Sequence, residues 1–144
     1  MRNANSGLGL KEELISIRVK LALLWACTMF LYIYADIKAL FETGFIQQIM
    51  DGNLGGIIVD QSFLLISSIL MTIPPVMIVL TILLKAKVNR IVNIIISALH
   101  ILLASGLLLF APIRPWFYFI WYSCFEILFL FLIVLFALKW PKEK

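Results

Sequence analysis

Two consecutive apolar stretches decide the fold, Ile91–Pro112 (IVNIIISALHILLASGLLLFAP) and Pro115–Trp140 (PWFYFIWYSCFEILFLFLIVLFALKW). Each is long enough to cross a bilayer as a helix, which takes about 20 apolar residues at ~1.5 Å each. The short corner Ala111–Pro115 joins them, so the sequence predicts antiparallel neighbours. Counted outward from that corner, His100 and Glu126 fall at nearly the same depth, roughly 16–20 Å away and close to the membrane midplane.

Two further apolar stretches precede these, at about Val19–Leu40 and Ser62–Leu84. The first is longer than the ~7–15 residues of a signal-peptide core and no small-residue cleavage site follows it cleanly, so we expect it to remain as an anchor. The sequence thus predicts an all-α integral membrane bundle of four helices. It forms a single domain over residues 1–144, with spans at about 19–40, 62–84, 91–111 and 115–140 and a disordered tail at 1–10.

Composition excludes several other classes of protein. The chain is 63% hydrophobic and 14% charged, whereas a soluble domain carries nearer ~25% charged residues. The net charge of +4 does not indicate nucleic-acid binding, because the basic residues sit at the ends of apolar runs. Cys27 and Cys124 each lie inside such a run without a Cys-x-x-Cys motif, so we expect buried small hydrophobes rather than a redox pair. With His100 the only histidine, we predict no metal and no cofactor.

The distribution of basic residues predicts an orientation. If the N-terminus is inside, ten Lys and Arg residues lie on the inner side and only Lys38 and Arg114 lie outside. Since cytoplasmic loops are enriched in Lys and Arg, this bias predicts that both termini are cytoplasmic. We expect a multi-pass protein of the bacterial inner membrane. The inner set is Arg2, Lys11, Arg18, Lys20, Lys85, Lys87, Arg90, Lys139, Lys142 and Lys144.

Two local features modify the predicted arrangement of four helices. Phe45–Met50 is amphipathic and ends at Asp51-Gly52, which predicts a short helix lying in the interface within the first outer loop. Pro74-Pro75 interrupts the second span, where the missing N–H groups deprive the carbonyls of Leu70 and Met71 of their helical donors. The sequence therefore predicts a kink there, with those carbonyls seeking another donor.

Each span also carries one stripe of polar residues. Asn93, Ser97, His100 and Ala104 step by four, three and four, which places them on one face of a helix. Ionisable residues within a span usually face the bundle interior and are functional candidates by default. Tyr32 and Asp36 have a second interpretation, as part of the outer interfacial belt. The candidate residues for a ligand or proton site are His100, Glu126, Asp36, Tyr32, Tyr122, Asn93, Ser97, Gln61 and Thr72.

These residues leave three functional hypotheses open. The first, which we favour, is a polar cavity that binds or passes a small amphiphile, a cation or a proton. The second is a structural subunit that docks on another membrane protein, or on a second copy, through the apolar Ile127–Leu138 face. The third is a membrane enzyme acting on a lipid-like substrate, for which no catalytic residue is assigned. A His100–Glu126 pair would serve proton sharing or capture of a cation, or would simply be an interhelical hydrogen bond.

Several motifs carry a family resemblance. They are YIYAD at 32–36, QSFLL at 61–65, ILMTIP at 69–74 and NRIVN at 89–93, followed by His100 and Glu126. Over about Arg18–Pro141 the chain resembles a family of small four-span bacterial membrane proteins of unassigned function, which implies a fold but no activity. More coarsely, it is similar to the DoxX-like and emopamil-binding-protein-like bundles. That likeness implies a small hydrophobic ligand and carries no catalytic residues over.

Overall fold

The computed structural model describes residues 15–110 and 116–140. They form α1 (Ile17–Ala39), α2 (Phe45–Met50), α3 (Gln61–Leu83), α4 (Ala86–Phe110) and α5 (Phe117–Leu138), with a hairpin of β1 (Asn53–Leu54) and β2 (Ile57–Ile58). Within these residues, α1, α3, α4 and α5 are long and apolar enough to cross a membrane. The predicted four-helix membrane bundle is thereby confirmed. The orientation of the termini stays a prediction, and the tail at 1–10 and the corner Ala111–Pro115 lie outside the described residues.

Side-chain caps set where two of the long helices begin. Ser16 accepts a hydrogen bond from the amide of Val19 at the start of α1 (3.4 Å), and Asp60 accepts one from Phe63 at the start of α3 (2.8 Å). Such caps satisfy amide groups that have no partner within the helix. The polar residues just before each apolar run therefore start the spans within two residues of the predicted positions.

The connection between α1 and α3 folds more than the sequence predicted. Helix α2 forms over Phe45–Met50 as expected. Gly55 and Gly56 make the two-residue turn of the β1–β2 hairpin, which was not predicted. Both glycines have positive φ, 59° and 96°. Two-residue hairpin turns favour this conformation, and glycine adopts it without steric cost.

The helices pack in an order that differs from their order in the chain. Helix α1 packs against α3 and α5, and α5 packs in addition against α4. Helices α3 and α4 are joined by only Leu84-Lys85, yet they contact each other far less than the other three neighbouring pairs do. The bundle is therefore closed on three sides and loosely closed between α3 and α4.

A dense apolar core occupies one end of the bundle, which we call the closed end. Leu21, Trp25, Met77, Leu130 and Ile133 are buried there. Because the spans alternate in direction, the closed end is where α1 and α4 begin and α3 and α5 end. Its surface carries the basic residues Arg18, Lys20, Lys85, Lys87, Arg90 and Lys139.

Two expectations about side-chain environment need correction. The apolar half Ile127–Leu138 of α5 was expected to face outward, but only part of it does: Leu130, Ile133 and Ala137 are completely buried, whereas Leu128, Phe131 and Leu138 are exposed. Cys27 and Cys124 were expected to be buried, yet both are exposed on the outer surface of the bundle. The physical reason is the same in both cases. Lipid and the protein core are equally apolar, so an apolar sequence does not indicate which face of a helix is buried.

A polar network ties three helices together beside this core. The Trp25 indole Nε1 donates to Asn93 Oδ1 (2.7 Å), and Asn93 Nδ2 donates to Asn89 Oδ1 (2.6 Å). Asn89 Nδ2 in turn donates to the carbonyl of Thr81 (2.5 Å). All four residues are fully buried. The network links α1, α3 and α4 where no water is available to replace these bonds.

Candidate ligand site within the membrane

A cavity of about 360 Å³ lies in the other half of the bundle, between α1, α3, α4 and α5. Its walls are mainly apolar, so the cavity is less polar than the sequence predicted. A small group of polar side chains projects into it. They are Tyr32, Asp36, Ser67, His100, Tyr122, Ser123 and Glu126.

The central polar contact joins α1 to α5. The Tyr32 hydroxyl donates to Glu126 Oε1 at 2.7 Å, and both side chains are half-buried. The hydrogen bond uses one carboxyl oxygen, and a carboxyl group offers a second oxygen to a ligand. The Tyr32 ring also lies parallel to the His100 imidazole, with 6.5 Å between centroids and 16° between planes. Tyr32 therefore contacts both residues that the sequence placed at the midplane.

His100 is oriented by its own helix rather than by Glu126. Its Nδ1 lies 3.0 Å from the carbonyl of Ile96, an acceptor that requires the proton to be on Nδ1. The ring packs edge-on against Trp25, with centroids 5.8 Å apart. His100 and Glu126 were predicted to lie at equal depth, and both line the same cavity. The hydrogen-bond partner of Glu126, however, is Tyr32 rather than His100.

The prolines in α3 leave a backbone carbonyl without its helical donor at the level of the cavity. Helix α3 continues through Pro74 and Pro75, and Pro74 is buried. Pro74 has no N–H for the carbonyl four residues earlier, which belongs to Leu70. Leu70 lines the cavity, as does His100 on α4.

The remaining cavity carboxyl and phenol lie toward the end of the bundle opposite the closed end. Asp36 on α1 and Tyr122 on α5 line the cavity there. Tyr122 packs edge-on against Tyr118, with centroids 6.3 Å apart, and the Tyr118 hydroxyl donates to the Glu42 carboxylate. The connection after α1 is thus fastened to the beginning of α5. Tyr32 is half-buried and faces the cavity, which agrees with the interior interpretation, whereas Asp36 lines the cavity and is also exposed.

The cavity gathers five of the nine candidate residues and leaves four elsewhere. Asn93 is occupied by the network at the closed end. Ser97 is fully buried, and its hydroxyl has no hydrogen-bond partner among the described residues. Gln61 is exposed in the first turn of α3, and Thr72 is exposed with its hydroxyl bonded to the carbonyl of Ser68 (2.7 Å). A hydroxyl that bonds within its own helix is satisfied even when it faces lipid.

Sequence analysis missed Ser67 and Ser123, which both line the cavity. Ser123 had a detectable signal, because Phe119, Tyr122, Ser123 and Glu126 follow the i, i+3, i+4, i+7 pattern of one helix face. All four line the cavity. Ser67 had no comparable signal, since its neighbour Ser68 points outward with a similar side chain.

We expect Tyr32→Phe to destabilise the protein by about 0.5–2 kcal/mol, because the Glu126 carboxyl loses its donor in a water-poor site. The matched control is Tyr34→Phe, two residues away with an exposed ring. Unfolding in mixed detergent should show little change for this control. In a cycle with Glu126→Leu, which removes the acceptor, the double variant should lose less than the sum of the two single losses. Strict additivity would contradict the pairing of Tyr32 with Glu126.

A four-helix bundle whose ionisable side chains surround an intramembrane cavity defines this chain as a small multi-pass membrane protein. It belongs to the family of unknown function DUF6326, whose model matches residues 13–144. This confirms the resemblance to a family of small four-span membrane proteins without an assigned activity. Neither the curated proteins nor the solved structures contain a match to the chain. The likeness to DoxX-like and emopamil-binding-protein-like bundles and the bacterial origin stay predictions.

Proposed function

We propose that the protein binds a small amphiphile with a cationic or hydrogen-bond-donating head group. The observation that carries the proposal is the Tyr32–Glu126 pair, which projects into an otherwise apolar cavity. Glu126 and Asp36 are the carboxyl groups among the residues described around the cavity, and neither Lys nor Arg is among them. Carboxyl groups without a basic side chain beside them favour a ligand that brings its own positive charge or donor.

The apolar walls support an amphiphile over a bare ion. Leu70, Leu103, Leu107 and Phe119 provide a surface for an alkyl or ring portion of a ligand. The volume of about 360 Å³ falls within the ~300–1,000 Å³ of ordinary small-molecule sites. A cation or a proton alone would leave most of this apolar volume without a role.

The closed end supports binding over passage. A conducted cation or proton needs a chain of polar groups or water through the whole bundle. Below the cavity, the interior is filled by Leu21, Trp25, Leu130 and Ile133. The polar network beside them is already hydrogen-bonded among Trp25, Asn93, Asn89 and Thr81. A ligand that reaches Glu126 is therefore expected to leave the cavity through the opening by which it entered.

The hypothesis of a structural subunit has no specific observation in its favour. The second half of α5 has a buried face with Leu130 and Ile133 and an exposed apolar face with Leu128 and Phe131, and an exposed apolar face is expected of any helix that faces lipid. The enzyme hypothesis has no independent support either, since the cavity geometry assigns no nucleophile or general base to a reaction. Ligand binding remains the hypothesis that uses the observed geometry.

The test compares amphiphiles that have the same alkyl chain and differ in the charge of the head group. Decyltrimethylammonium, decyl sulfate and decyl maltoside are added at equal, submicellar concentrations to the detergent-purified protein, and thermal unfolding is followed by tryptophan fluorescence. We expect a higher melting temperature with the cation only, since a ligand that binds the folded state stabilises it. Equal shifts with all three amphiphiles, or none with any, would refute the proposal.

The variant Glu126→Gln tests how much the carboxylate charge contributes to ligand binding. It keeps the size and leaves an amide oxygen that can accept from Tyr32, so we expect folding to be retained while affinity for the cation falls by about tenfold or more. Asp51→Asn is the matched control, because it removes an equal charge from the exposed outer connection. Direct titration by calorimetry measures both affinities. An unchanged affinity in Glu126→Gln would contradict the proposal even if the wild-type protein binds the cation.

A further inference from the structure

The four walls of the cavity are not equally covered. On α1 and α5, Tyr32 and Glu126 are half-buried, and Asp36 is exposed near the last turn of α1, away from the closed end. On α3 and α4, the lining residues Met71, Leu103 and Leu107 are 42%, 39% and 57% exposed. A side chain that lines a cavity and also lies on the outer surface marks an opening. The cavity therefore opens sideways, between α3 and α4, within the length of the membrane-spanning helices.

The packing of the bundle explains this opening. Helices α3 and α4 are tied together by the two-residue connection at the closed end and contact each other little beyond it. An apolar groove of about 460 Å³ follows the same gap toward the closed end, between Ile73 and Val76 on α3 and Val92 and Ile96 on α4. Where the gap reaches the cavity, Leu70 on α3 and His100 on α4 both line the cavity. The gap is thus an apolar path that reaches the cavity from the lipid side.

At the end of the bundle opposite the closed end, access from water to the cavity is more restricted on the side of α1 and α5. There the Tyr118 hydroxyl is bonded to the Glu42 carboxylate, which fastens the outer connection over the beginning of α5. An amphiphile dissolved in the bilayer already has its chain at the level of the gap. For such a ligand, the route between α3 and α4 requires no transfer of apolar surface through water.

We infer that the ligand is a single-chain cationic amphiphile that reaches the cavity from the lipid, between α3 and α4. Its head group lies against Glu126, and its chain remains in the gap. This inference rests on the proposed function and specifies the class of ligand and its route. The two routes, from the lipid and through the aqueous mouth, predict different contacts. They differ in the residues that the alkyl chain of the bound ligand touches.

A photoreactive probe tests the route. The protein is reconstituted in phosphatidylcholine vesicles with decyltrimethylammonium that carries a diazirine at the end of its chain. After illumination, labelled residues are located by mass spectrometry, and specific labelling is defined as the part that excess unlabelled probe removes. We expect specific labels in 69–76 of α3 and 96–107 of α4. Specific labels confined to the outer connection, residues 40–60, would overturn the lateral route.

Four variants separate the proposed binding site from the proposed lateral route. Glu126→Gln should abolish specific labelling; if labelling persists, the proposed function fails. Leu107→Trp narrows the gap and should lower specific labelling by about tenfold. Leu109→Trp is its matched control, since Leu109 lies on the same helix, is exposed and does not line the cavity. Leu107→Ala widens the gap and should keep or increase labelling. If Leu107→Trp labels like wild type while Glu126→Gln does not label, the site stands and the lateral route is wrong.

Discussion

Replacing Trp25 with alanine should destabilise the bundle by about 2–4 kcal/mol. Trp25 is fully buried in the closed-end core, donates to Asn93 and packs edge-on against His100. Its removal leaves a cavity and an acceptor without its donor. In a soluble core the same change costs roughly 3–5 kcal/mol. We expect less here, because the unfolded chain in detergent is not exposed to water and most of the loss is packing.

Trp121→Ala is the control for this measurement. Trp121 is 65% exposed on α5, so its loss should change the free energy of unfolding by no more than about 0.5 kcal/mol. Unfolding of both variants is followed by far-ultraviolet circular dichroism, which does not depend on the number of tryptophans. Equal losses for Trp25→Ala and Trp121→Ala would mean that the closed end is not the core of the bundle.

The second large effect is expected for Asn93→Leu, with a loss of about 1–3 kcal/mol. The substitution keeps the number and branching of the side-chain heavy atoms but removes the acceptor for Trp25 and the donor for Asn89. Both partners are fully buried, so water does not replace the lost bonds. Single interhelical hydrogen bonds in membranes average nearer ~0.6 kcal/mol. Asn93 should exceed that value because its amide links residues of α1 and α4 simultaneously.

A double-variant cycle tests the explanation. Combined with Trp25→Phe, which removes the indole donor, Asn93→Leu should cost measurably less than it does alone. Ser68→Ala serves as the control, since the Ser68 hydroxyl is exposed and bonded only within α3. If Asn93→Leu were as mild as Ser68→Ala, the polar network would not stabilise the fold.

The sequence predicted the spans well because their signal is local. A run of about 20 apolar residues between polar ends identifies a membrane helix without knowledge of its neighbours. The depth of His100 and Glu126 followed from counting along two helices, and both do line one cavity. The short helix Phe45–Met50 was likewise predicted from local pattern.

The sequence could not predict how each helix is rotated about its axis. In water, the polar face of a helix indicates the outside, but in lipid both the core and the surroundings are apolar. Thr72 was therefore placed inside although it is exposed, and Leu130 was placed outside although it is buried. The bridging position of Tyr32 depends on α1 lying beside α5, and nothing in the local pattern reports that adjacency.

The separation of a closed end from a cavity end has a consequence for how this family can change over time. The residues that hold the bundle together, such as Trp25, Asn93 and Ile133, are not those that line the cavity. Apart from the Tyr32–Glu126 pair, substitutions of residues that line the cavity should therefore have little effect on the stability that keeps a small protein folded. We expect relatives to differ in the molecules they recognise while they keep one scaffold. Differences among them should concentrate on the halves of the four spans that lie away from the closed end.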